Sequence, residues 1–203
     1  IRDRLLRAWQ HLDAREPQQA SELLHAALHY PENLSEGRLP GQTDNDIWFW
    51  QAVCANAQGD ETEATRCLRL AATGDRTINI HSYYNDQPVD YLFWQGMALR
   101  LLGEQHTAQQ LFSEMKQWAQ EMAKTSIEAD FFAVSQPDLL SLYGDLQQQH
   151  KEKCLMVAML AAAGLGEVAH YESARAELMA INPAWPKAAL FTTVTPFIFS
   201  YVH

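Results

Sequence analysis

The chain has 203 residues, 47% of them hydrophobic and 20% charged, which is enough apolar material for a core and too little polarity for a disordered polypeptide. A formal charge of −10, offset by no local run of Lys or Arg, repels phosphate backbones and anionic lipid, so neither nucleic acid nor membrane is an expected partner. The longest apolar run, 154–166, falls short of the roughly 20 residues of a spanning helix, and no secretory leader pattern opens the chain, so a cytoplasmic place is expected.

Leu5, Leu6, Ala8, Trp9 and Leu12 recur at helical spacing, and Pro17 suits the first turn of a second helix, which predicts a helical hairpin over about 2–30. Tyr30-Pro31-Glu32-Asn33 stops it, and Gly, Pro, Asn and Ser fill a long loop to residue 45. Asp46 stands where a cap belongs, and helices over 47–57 and 61–72 flank Gly59-Asp60 to form a second hairpin over about 46–73. After a loop rich in aromatic and amide residues, Asp90 caps a third hairpin over about 90–124. A short inserted helix is predicted over about 137–143, then a fourth hairpin over about 146–182, and an apolar tail, 184–203, that needs a surface to lie on. The expectation is one domain over 1–203; since the chain begins without Met, it reads as a C-terminal fragment of a larger protein.

One stretch occurs twice, as Asp46-Ile47-Trp48-Phe49-Trp50-Gln51-Ala52 and Asp90-Tyr91-Leu92-Phe93-Trp94-Gln95-Gly96, 44 residues apart. The same offset joins Gly59 to Gly103, Ala20 to Ala64 and Ala108, and Leu24 to Leu68 and Phe112. A small residue in each first helix, Gly at the turn, Ala in the second helix and a large residue four later resemble the tetratricopeptide repeat, in which small residues let two helices approach while an aromatic fills the neighbouring gap. That repeat is near 34 residues, and the excess here is loop. The fourth copy departs from the pattern, with Tyr171 where Ala is expected. The resemblance implies an all-α fold, a right-handed superhelical array of hairpins with long ordered loops between repeats.

Three further motifs in order narrow it: Tyr30-Pro31-Glu32-Asn33-Leu34, Tyr83-Tyr84-Asn85-Asp86-Gln87-Pro88, and Phe132-Ala133-Val134-Ser135-Gln136-Pro137-Asp138-Leu139. Over about Arg4 to Ala188 the chain is similar to the C-terminal tetratricopeptide region of large bacterial proteins of the YphG type. The resemblance implies a β-rich, sugar-handling N-terminal part beyond this chain, and it carries over no catalytic residue.

By the geometry of such repeats, Phe49, Val53, Asn56, Phe93, Met97 and Arg100 would face the concave groove. A groove so apolar either receives an apolar segment or is filled by the protein's own loops. In a second candidate site, His81, Tyr83, Tyr84, Asn85, Asp86, Gln87 and Asp90 combine stacking rings with the bidentate partners that a sugar needs; alternatively, they order an irregular linker. Asp46 and Asp90 read as helix caps or as a carboxylate ladder at the groove mouth.

His25 and His29 are one helical turn apart with no third metal ligand evident, and Cys54, Cys67 and Cys154 read as buried thiols of a reducing compartment. No nucleophile elbow, phosphate loop or dinucleotide fingerprint is present, and neither a catalytic residue nor a cofactor is expected. The reading is a non-catalytic module that docks a protein or its own N-terminal β-rich domain; the alternative is a share in a carbohydrate site through residues 81–90.

Overall fold

The computed structural model describes residues 2–29, 43–78, 89–128 and 145–184. Among these residues there are eight helices and no strand, so the chain is all-α there. The short helix expected at 137–143 and the tail beyond 184 lie outside the described residues.

The helices come in consecutive pairs: α1 (Arg2–Asp13) with α2 (Pro17–Ala27), α3 (Asn45–Ala57) with α4 (Glu61–Ala71), α5 (Tyr91–Leu101) with α6 (Gln105–Met122), and α7 (Leu146–Leu165) with α8 (Val168–Ile181). Helix α2 packs on α3 as well as on α1. Pro17 opens α2 at a position where its missing N–H costs nothing, and the Asp60 carboxylate opens α4 by accepting from Glu63 N–H at 2.9 Å.

One turn geometry closes all four pairs. In the second pair Gly59 N–H donates to Asn56 O at 3.0 Å and Asp60 N–H to Ala55 O at 2.9 Å, which satisfies two carbonyls left over at the end of α3. Gly103 and Glu104 repeat this with Arg100 and Leu99, at 3.0 and 2.9 Å, and Gly166 and Glu167 with Ala163 and Ala162, at 3.2 and 2.8 Å. In the first pair Arg15 and Glu16 make the same bonds to Leu12 and His11, at 3.0 and 2.8 Å. The residue at the bend has φ of 60°, 79°, 87° and 76° in Arg15, Gly59, Gly103 and Gly166, a left-handed conformation that suits Gly and strains Arg. The offset of 44 thus holds in the backbone hydrogen bonds of the first three turns, and Gly166 follows Gly103 by 63.

The chain divides into two compact units. The first comprises the described residues of Ile1–Asp75 together with Trp94–Ala108. Its core holds a chain of edge-on indoles: Trp9 meets Trp50 and Trp50 meets Trp94, each at 5.6 Å between ring centroids, with Phe49 5.1 Å from Trp94. Ala8, Ala20, Ala52 and Ala64 are buried, and side chains so small let helices approach. Nine of the thirteen residues of α3 are buried against four of eleven in α4, so α3 is enclosed nearly all round while α4 keeps a polar outer face.

The second unit comprises the described residues of Arg76–Phe93 and Gln109–His203. Phe93 and Phe112 meet at 6.0 Å, and Gly164 lies so close to the Phe112 ring that a Cβ there would overlap it. Helix α7 runs through Gly164 to Leu165, and Gly166, with φ 76°, ends it. Lys116 of α6 pairs with Glu167 at 2.6 Å, and the buried His150 of α7 binds Met122 O at the end of α6 at 2.8 Å.

Candidate functional site

The start of α3 differs from its expected form. Asp46 does not cap the helix but sits inside its first turn, and its carboxylate accepts from the adjacent Ile47 N–H at 2.9 Å. The helix starts earlier because Asn45, fully buried, donates through Nδ2 to Ala71 O at 2.7 Å and to Thr73 O at 2.8 Å, while its Oδ1 accepts from Thr43. Asp44, with φ 46°, takes the cap position without a side-chain cap bond. Asp90 directly precedes α5, as expected, and is buried; Phe93 N–H donates to its carbonyl at 3.2 Å.

The duplicated glutamines have matching tasks. Gln51 donates to Ser21 O and accepts from the Ser21 hydroxyl, both at 2.9 Å, tying α3 to α2. Gln95, also fully buried, donates to Thr73 O at 2.9 Å, so two carboxamides from successive first helices meet on one carbonyl. Next to it, Gly74 has φ 112°, and a Cβ there would come 2.9 Å from the Gln95 amide nitrogen, so both conformation and space call for Gly. The order of these buried amides thus fixes where the chain leaves α4.

Of the residues expected to face a groove, Phe49, Phe93 and Met97 have no exposed surface and Val53 only 8%. Their burial fits the alternative in which the protein's own residues fill the groove. Asn56 is exposed and Arg100 half-buried; they occupy one repeat position, 44 residues apart on α3 and α5, and both belong to the first unit. Burial holds the Arg100 guanidinium below its ordinary range. Of the second candidate site, residues 81–87 lie outside the described residues.

Several titratable groups are held in internal pairs. Arg66 binds the Glu63 carboxylate at 2.6 and 2.7 Å and lies 5.4 Å from the Trp48 ring, and that guanidinium, first through its hydrogen bonds, lowers the Glu63 pKa. Glu167 is lowered in the same way, chiefly by its bond to Lys116 and then by His170. Burial pushes the thiols of Cys54 and Cys67 up to about 12 and raises that of Cys154; all three are free. His25 and His29 rings are 5.2 Å apart, and among the described residues no group of three His, Cys, Asp or Glu is placed to hold a metal. No helix among them is long and apolar enough to cross a membrane. Along the outer face of α4, Thr62, Thr65, Arg69 and Leu70 line an open depression, with the paired Arg66 beside them.

Neither a protein-family model nor a solved structure matches the chain. Function therefore has to be argued from the arrangement itself. What sequence reasoning missed are most of the buried polar residues: Asp44, Asn45, Gln51, Gln95 and His150. For the glutamines a signal was present, since Gln stands in both copies of a stretch that is otherwise apolar at that face. For Asn45 and His150 no local pattern distinguishes them from solvated residues.

Proposed function

We propose that the chain is a tetratricopeptide-like array of the YphG type that acts as a non-catalytic docking module for a β-rich domain, either of its own polypeptide or of a partner protein. The observation that carries this reading is the fourfold turn: four helix pairs end their first helix with the same two backbone bonds, and the first three keep a register of 44 residues. Such a unit cannot bury its apolar side alone and is stabilised by stacking on its neighbours, a construction that proteins use to present surface to other proteins. The buried polar groups support it too, since Asn45, Gln51 and Gln95 are hydrogen-bonded to backbone within the unit. The docking contacts assigned to the first helices are Asn56 and Arg100, the two groove positions whose side chains reach the surface.

The test titrates this module with the separately produced β-rich part, and association is measured by calorimetry. Asn56→Lys combined with Arg100→Glu is expected to weaken association by about tenfold or more, with far-UV circular dichroism unchanged. Unaltered affinity in that folded double variant would refute docking through the first helices.

A further inference from the structure

Two histidines one turn apart close α2. The buried face of this helix, Ala20, Leu24 and Ala27, packs it on α1 and α3, which fixes the backbone from which His25 and His29 project. Both residues are exposed, and their rings lie 5.2 Å apart at 59° to each other. Rings bound to one tetrahedral ion through nitrogens at about 2.0–2.1 Å have centroids roughly 5 Å apart. The observed spacing is that of a chelating pair.

One hydrogen bond sets the chemistry of His29. Its Nδ1 lies 3.0 Å from His25 O, and since a carbonyl only accepts, Nδ1 carries the proton and donates. In the neutral ring Nε2 therefore keeps its lone pair. Metal-bound histidines are oriented in this way, by giving the second N–H to a carbonyl or carboxylate. His11 and His170 are committed differently, each with Nδ1 on a carboxylate, that of Glu16 and that of Glu167.

Two fields favour a cation at this place. The last turn of α2, which contains His25, is the negative end of the helix dipole, and the chain as a whole carries a formal charge of −10. Imidazole nitrogen selects ions such as Zn2+, Ni2+ and Cu2+ over Ca2+ and Mg2+, which take oxygen ligands.

We infer that His25 and His29 form a site for a divalent transition cation at the end of α2, with His29 binding through Nε2 and water completing the coordination. A pair of side chains is not the closed ligand set of a structural site, so the ion exchanges with solution and the chain folds without it. The site depends neither on the repeat reading nor on a β-rich partner.

Calorimetric titration of chelator-stripped protein with Zn2+ tests this. Binding is expected below about 1 mM free ion. His25→Ala and His29→Ala are each expected to weaken it at least about tenfold, because a lone imidazole loses the second, intramolecular contact. His11→Ala and His170→Ala are expected to leave it unchanged. Since His25 and His29 are exposed, their variants keep the fold, which far-UV circular dichroism checks. Long-range 1H–15N correlation spectra are expected to show Zn2+ shifting Nε2 of His29 while Nδ1 stays protonated. Binding only above about 1 mM, equal binding by the folded double variant His25→Ala with His29→Ala, or Zn2+ on Nδ1 of His29 would each overturn the proposal.

Discussion

Arg15 is the residue at which the repeat is least comfortable. It holds φ 60° at the bend where the other three turns have Gly, and a Cβ in that conformation crowds the following carbonyl. The bonds of Arg15 and Glu16 to Leu12 and His11 over-determine the bend, so the backbone keeps it at a cost. The side chain is exposed, and Arg15→Gly is therefore expected to stabilise the chain by up to about 1 kcal/mol, read as a higher midpoint in urea unfolding. A lower midpoint would mean that the Arg side chain contributes more than the strain removes. The same substitution logic runs in reverse at Gly59 and Gly103, which have open space around the missing Cβ and are constrained by conformation alone.

At the level of the helix, cap chemistry divides the aspartates. Asp60 accepts from Glu63 N–H, and Asp145 accepts from Gln147 and Gln148 N–H at 2.8 and 3.4 Å, so each satisfies donors that α4 and α7 cannot. Asp60→Ala and Asp145→Ala are each expected to lower stability by about 1 kcal/mol in urea titrations, and Asp46→Ala by less, because Asp46 lies one step inside α3. Equal losses at all three would contradict these assignments. Helix limits were legible at α4, which ends at Ala71 against an expected 61–72, and the hairpin starts expected at about 2 and 90 fall within a residue of α1 and α5. The start of α3 was not, because the residues that decide it, Ala71 and Thr73, are distant in sequence and act through their carbonyls. Helical periodicity does not distinguish an open groove wall from a filled one, and Phe49, Phe93 and Met97 are buried, as a groove filled from within requires.

For the whole molecule, repetition is the readable part: an offset of 44 marks the first three helix pairs and their turns, whereas the two-unit division falls within α5 and α6, where no local pattern announces it. Each unit carries its own chemical reporter, Cys54 and Cys67 in the first and Cys154 in the second. With Cys54 and Cys67 raised to about 12 from an ordinary 9.0, the folded state favours the neutral thiol. The stability this contributes is fully present below the unfolded value and is lost as pH rises from 9.0 toward 12. Glu63 and Glu167 act in the opposite direction: lowered from 4.5 by Arg66 and Lys116, they contribute above that value and lose the contribution as pH falls through their folded pKa, a small effect for carboxylates so exposed to solvent. Stability against urea is thus expected to be level between these limits and to fall on both sides, with the alkaline fall shallower in Cys54→Ala combined with Cys67→Ala. In native buffer near neutrality all three thiols are expected to resist alkylation, and to react together with the unfolding of the unit that holds them. Rapid modification of any of them in the folded protein would show that its helix opens locally, and would contradict the closed packing of α3 on α4 or of α7 on α8.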